Sequence, residues 1–397
     1  MSARLPLWAV AVLWSCLQTA PATGQTLDVT GYALGVSTWA DDGLLGPGGA
    51  ALLGRFRIMP IVRSGPWTLE AAYEHVVSRV PEGGGFAVTT PGGASASGSD
   101  WLGVDWSLAS SARSSWRHRF DRLSLALDAG PVSVTVGRQA ISWATALFLT
   151  PADPFAPFDP SDPFRAYRGG VDAVRMRAFT GPFSEVEAVV RAAETTAGAT
   201  LTALARGQLS RGGWALGGWA GLLHDEGAAA LFATGAAGST AVRGEMAFRE
   251  DPDGGPLVRA TLGADRNFLV DGRDLFAVVE VQYDGYGAAT PSDLLRVAGS
   301  RPYARGEMQT LGRWTGAAQA SFQVHPLVGL DGLVLADLGD GSALVGPGVS
   351  WSASSSASLR LGCFLSVGEG GFDAADGLRS AYGSTPTVAY LSLSWFF

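Results

Sequence analysis

The sequence predicts an all-β fold: a single closed antiparallel transmembrane β-barrel of about eighteen strands, with sixteen left open by glycine-rich stretches. Three observations predict it. Period-two alternation recurs along nearly the whole chain with hardly any helical pattern between. Trp and Tyr cluster at the ends of the alternating segments, where a membrane interface would place them. Tight turns and long connections follow one another in strict alternation, as expected of a barrel with short turns at its periplasmic rim and long extracellular loops.

Composition agrees. Of 397 residues, 47% are hydrophobic and only 16% charged, against about 25% charged in ordinary soluble domains. Apart from the N-terminus, no apolar run is long enough for a membrane helix. The net charge of -8 argues against a nucleic-acid binder. All 28 basic residues are Arg, and Asn267 is the lone Asn, a bias expected of a GC-rich coding sequence.

Residues 1–24 read as a secretory signal peptide: Arg4 is the basic start, Leu5 to Leu17 the apolar core, and Ala22-Thr23-Gly24 the small-residue cut site. Cleavage before Gln25 removes Cys16, leaves Cys363 as the sole mature cysteine and excludes an internal disulfide. Residues 25–397 are then the barrel.

Strands are expected near 26–39, 50–63, 67–80, 115–128, 131–142, 170–180, 183–193, 200–210, 213–224, 227–236, 239–250, 256–267, 273–285, 310–324, 327–337, 341–351, 356–367 and 386–397. One face of the 242–249 segment carries Val242, Gly244, Met246 and Phe248; the other carries Arg243, Glu245, Ala247 and Arg249. Ser64-Gly65-Pro66, Ala129-Gly130-Pro131, Thr180-Gly181-Pro182 and His325-Pro326 supply tight turns. Long connections run over 81–99, 144–169, 287–305 and 368–386. The chain is too short for a plugged barrel of the largest class.

The C-terminus places Leu391, Leu393, Trp395 and Phe397 on one face of a last strand ending in an aromatic. Such a strand can be held by an insertion machinery through its apolar face and unpaired edge before closure. With this terminus the mature chain resembles the porin-type outer-membrane β-barrels. A narrower likeness, to poorly characterised members, lies in Gly137-Arg138-Gln139-Ala140-Ile141-Ser142-Trp143, in Pro151 through Ala173, and in Pro326-Leu327 through Asp340-Gly341-Ser342; Thr150 stands where the motif usually has its polar residue before the first proline. The resemblance implies export to the bacterial outer membrane and passive transport of small solutes. Expected partners are outer-membrane lipid, lipopolysaccharide, the barrel-assembly machinery and the solutes themselves. No cofactor and no nucleic acid are expected.

The 151–164 stretch packs Pro151, Pro154, Pro157, Pro160 and Pro163 between Phe155, Phe158 and Phe164. Proline cannot serve a sheet ladder, so this is a loop, and its apolar character suits a fold into the lumen within 144–169. The expected constriction is Asp153, Asp159 and Asp162 facing arginines such as Arg138, with Arg165, Arg168 and Asp172 alongside. A rigid external cap, or a motif needed only for barrel assembly, is the competing reading. Alternation also directs Glu70, Glu74, Asp128, Glu185, Glu187, Glu245, Asp265, Glu280 and Asp284 inward. Arg55, Arg57, Arg122, Arg175, Arg177, Arg191, Arg243, Arg249 and Arg259 join them. Mixed charge of this kind suits small hydrophilic solutes more than ion choice, and most of these groups are expected to be solvated.

Other functions find less support. His75, His118, His224 and His325 have no metal-ligand spacing. His224 beside Asp225 is a conceivable base for a barrel hydrolase, and no enzyme is expected. Asp251 to Gly255 and Asp337 to Gly341 read as turns, not calcium loops. A channel for fatty acids or aromatics would need an apolar internal pocket and a lateral opening, and an adhesin or structural barrel would need larger external loops.

Overall fold

The computed structural model describes residues 24–44, 46–81, 101–155, 164, 167–195, 198–251, 255–373 and 377–397. Residues 1–23 of the expected signal segment 1–24, with Cys16, lie outside the described residues, as does 252–254 of the Asp251–Gly255 stretch.

Alternation of side chains produces a single sheet. Its strands are β1 (Gln25–Ala40), β2 (Gly49–Ser64), β3 (Trp67–Arg79), β4 (Asp105–Ser110), β5 (Ser114–Ala129), β6 (Val132–Gln139), β7 (Val171–Gly181), β8 (Ser184–Thr195) and β9 (Gly198–Arg211). It continues with β10 (Trp214–Leu223), β11 (Glu226–Ala237), β12 (Thr240–Asp251), β13 (Gly255–Val270), β14 (Arg273–Asp284), β15 (Trp314–His325), β16 (Val328–Asp337), β17 (Ala343–Ser352) and β18 (Ala357–Val367). The pair β19 (Phe372–Asp373) and β20 (Gly377–Leu378) stands apart, and β21 (Val388–Phe396) ends the set. Of the nineteen strands in the large sheet, all but β4 form an eighteen-stranded antiparallel ring. β21 closes it, pairing with β18 on one side and with β1 on the other from Tyr32↔Phe396 to Ala40↔Val388. Closure leaves the ring no open edge.

The faces are the reverse of a soluble core. On β14, Val279 and Val281 are 57% and 44% exposed while Glu280 and Gln282 are 2% and 1% exposed. Apolar side chains therefore face outward and polar ones line the interior, the arrangement a lipid environment requires. Exposed tryptophans form two belts. Trp67, Trp214, Trp351 and Trp395 lie at the rim that carries both chain ends, and Trp39, Trp116 and Trp314 lie toward the other. Leu391, Leu393, Trp395 and Phe397 all face outward, with Tyr390 and Ser392 buried between them.

Four features differ from the sequence expectation. First, the alternation of connections is not strict. The rim bearing the termini has only short turns, but the opposite rim mixes long connections with the brief ones after β8, β10 and β12. The two-residue turn at His224-Asp225 has φ values of 55° and 66°, the double left-handed geometry whose twist matches a tight hairpin. Second, β6 stops at Gln139, not 142. Third, β4 pairs with the upper part of β5, on the side where β6 has stopped, and continues that lane of the wall. Fourth, the connection after β14 contains two short helices, α1 (Leu294–Ala298) and α2 (Arg301–Ala304). Leu294 and Val297 pack there with Ala288 and Met308, against Leu378 and Ala381.

Candidate functional site: the segment across the lumen

The motif at the end of β6 has a local physical cause. Gly137 sits at φ +113°, where a Cβ would come within 2.3 Å of the Leu123 carbonyl oxygen; only glycine fits there. Arg138 then makes a bidentate ion pair with Asp172, Nε to Oδ1 at 2.8 Å and Nη2 to Oδ2 at 2.8 Å. It also donates to the carbonyls of Phe120 and Leu102. The Gln139 amide donates to the carbonyls of Thr135, Gly137 and Ala173. These bonds close the top of β6 and turn the chain away from the wall.

From there the chain runs along the barrel interior. Ile141, Trp143, Ala152 and Phe155 are buried against the inward residues Val189, Leu204, Trp219, Ala230 and Ala247 of β8 to β12. Trp143 donates its indole N–H to Glu187 Oε1 at 2.8 Å, and Trp219 donates to the Ala152 carbonyl at 2.8 Å. On another side of the ring, Leu149 and Phe164 join Tyr32, Leu335, Phe364 and Tyr390.

Between these anchors the backbone is held by side chains of the wall. Glu245 accepts from the Thr145 N–H and hydroxyl and from the N–H groups of Ala146 (2.6 Å) and Ala152 (3.2 Å). Glu280 accepts from the N–H groups of Leu147 (2.6 Å), Phe148 (3.0 Å) and Leu149 (2.8 Å). Gln309 accepts from the Thr150 N–H at 2.7 Å and donates to the Phe148 carbonyl. A buried peptide stretch without a ladder must find its partners in this way.

Among the expected site residues, Arg138 pairs with Asp172 and does not stand opposite Asp153. The Asp153 side chain is fully buried and bonds Arg168 at 2.6 Å and the Ser142 hydroxyl at 2.9 Å. Asp159, Asp162, Arg165 and Phe158 lie outside the described residues. The expectation that most inward charges are solvated is corrected. Glu74, Glu187, Glu245, Glu280, Asp284, Arg57, Arg122, Arg191, Arg249 and Arg259 are all buried, because they bond to one another and to the segment. Alternation pointed Glu187, Glu245 and Glu280 inward. Nothing in their own neighbourhood says that Glu187 accepts from the Trp143 indole, or that Glu245 and Glu280 hold backbone about a hundred residues away; Gln309 and Trp219 gave no signal.

Two charge networks flank the segment. In one, Arg57 bonds Glu74 and Asp121, Arg119 bonds Glu74 at 3.0 Å, and Arg122 bonds Asp121 at 2.7 Å. Arg57 also lies over the Tyr167 ring, which stacks on Tyr32. In the other, Arg249 bonds Glu226 and Glu307, Arg305 bonds Glu226, and Arg259 bonds Asp284 at 2.8 Å. His224 completes this side, its Nδ1 at 2.9 Å from the Thr200 hydroxyl. Burial, with Arg191, Arg305 and Arg249 nearby, pushes its imidazole down to about 3. His224, Arg249, Arg259, Arg305 and Glu307, with Asp153 and Phe155 of the segment, line a small pocket of about 10 Å³, room for about one water. Asp340, at the end of the second motif, accepts from Ser342 N–H and Ala381 N–H and so ties two connections together, as a turn residue does.

No family model matches the chain, and no curated protein matches it. Solved structures do. OccAB1 of Acinetobacter baumannii aligns at 9% identity with TM-score 0.57, covering 93% of this chain and 96% of that one. A BenF-like porin from Pseudomonas fluorescens Pf-5 aligns at 10% identity with TM-score 0.54, covering 94% and 98%. OccD3 of Pseudomonas aeruginosa aligns at 9% identity with TM-score 0.52, covering 95% and 93%. The chain shares the porin-type barrel fold with them, and at this identity the likeness is one of fold.

Proposed function

We propose that this barrel is a channel of the bacterial outer membrane for passive diffusion of small hydrophilic solutes, and not an enzyme. The observation that carries this reading is a polar, charge-lined interior crossed by a segment fastened to its wall. Such a segment narrows the bore to less than the ring alone would leave. Because the buried arginines and carboxylates largely neutralise one another, the bore selects by size and polarity more than by the sign of charge. The aromatics Trp143, Phe155 and Trp219 are consumed in fixing the segment, which speaks against an apolar pocket for fatty acids or hydrocarbons. His224 faces a threonine and arginines, a poor setting for a general base. Residues 1–24 would direct export, and Leu391, Leu393, Trp395 and Phe397 would be read during assembly. Lipid and lipopolysaccharide would contact the outer face.

Single-channel recording of the refolded mature protein in a planar bilayer tests the reading, with the reversal potential taken under a salt gradient. Steady conducting steps of weak ion preference are expected. Electrical silence of protein shown to be folded by heat-modifiable gel migration would overturn it.

A further inference from the structure

The inward carboxylates are compensated in two ways. Glu74, Asp121, Asp153, Asp172, Glu187, Glu226 and Asp284 each bond an arginine. Glu245 and Glu280 do not: among the described residues no arginine lies within ion-pair distance of either, although both are nearly fully buried. Their charge is met by N–H groups, those of 145, 146 and 152 for Glu245 and of 147, 148 and 149 for Glu280. Five consecutive amides thus converge on two carboxylates, an anion nest made from the crossing segment and closed by charge-assisted bonds. The wall makes room for it. Glu280 is flanked in register by Gly263 and Ala317, and a Cβ at Gly263 would meet Glu280 Cγ at 2.8 Å.

We propose that Glu245 and Glu280 are the positioning residues that set the bore, by fixing how far the 145–152 backbone stands from the wall. Touching solute is not required of them. Their carboxyl oxygens accept from a peptide stretch that no strand holds, so its position follows theirs. This rests on the channel reading above, and it gives that reading an adjustable part.

The test combines hydrogen exchange with recording on the folded barrel. In the native protein the amides of 145–149 are expected to exchange slowly. Glu280→Gln presents an NH2 group to N–H donors and is expected to lower protection at 147–149 by at least about tenfold. Glu245→Gln is expected to do the same at 145, 146 and 152. Gly263→Ala displaces Glu280 without changing charge and is expected to repeat the Glu280→Gln pattern, which keeps the idea testable if one variant fails to fold. Asp331→Asn removes a wall charge bonded to Arg360 and is expected to leave these amides protected. Channel currents of the two Gln variants are expected to spread over a wider range of step sizes than the native protein. Unchanged protection in both Gln variants, or lost protection with unchanged step sizes, would overturn the proposal. A folded native protein that is silent yet protected at 145–149 would count against the channel and leave the clamp standing.

Discussion

Two parts of the inner wall solve the same electrostatic problem differently. Across β2, β3 and β5, Glu74 and Asp121 are compensated by Arg57, Arg119 and Arg122, all from strands of the ring. Across β12 and β14, Glu245 and Glu280 are compensated by the backbone of a segment that belongs to no strand. The first arrangement ties wall to wall and makes the ring rigid. The second ties wall to contents, so losing it changes what fills the ring while the ring remains. A carboxylate's partner, more than its depth, decides whether it serves stability or the bore.

That contrast can be broken at several points. Glu74→Ala leaves buried Arg57 and half-buried Arg119 to share Asp121 alone, and a loss of about 3 kcal/mol is expected, read as a lower denaturant midpoint for the heat-modifiable barrel. A midpoint within error of the native value would mean that water already compensates these arginines. His224 supplies a pH effect. An unfolded imidazole titrates near 6.5, and the folded one is held down to about 3. Below about 6.5 the unfolded chain takes up a proton that the folded one excludes, so this contribution is complete above that pH and is lost as pH falls toward 3. His224→Asn, which tolerates the left-handed turn, is expected to lessen acid destabilisation between those values; identical acid curves would contradict it. Arg138→Lys keeps the charge and loses the bidentate bond to Asp172. A cost of about 1–2 kcal/mol is expected, with exchange rising at the amide of Leu102, which also bonds Asp172. The exposed pair Arg63–Asp28 marks the low end: Asp28→Asn should move the midpoint by less than about 1 kcal/mol.

The ring was largely legible in the sequence because side-chain alternation is imposed by the same face reversal along every strand. The expected boundaries near 67–80, 115–128 and 239–250 lie within a few residues of β3, β5 and β12. β4 escaped because its six residues sit in a Ser- and Gly-rich stretch and take their strand form from β5. The helices after β14 are too short to carry a period; their start is written in Pro291 and in Ser300, whose hydroxyl accepts from the Tyr303 N–H. The candidate site was less legible. Alternation told which way Glu245 and Glu280 point, but their partners lie 100 and 133 residues away in the chain. Arg138 was expected to face Asp153, Asp159 and Asp162, while the carboxylate it bonds is Asp172, its neighbour across the β6–β7 pair.

Solute size exclusion offers the most direct measurement. Liposomes carrying the native protein or the Glu245→Ala/Glu280→Ala double variant, each verified as folded, would be challenged with neutral saccharides of increasing size. The native protein is expected to admit only the smallest sugars, and the double variant to shift the cut-off with the ring intact. The same cut-off for both, or no uptake through native protein, would contradict a bore set by the segment these two carboxylates hold.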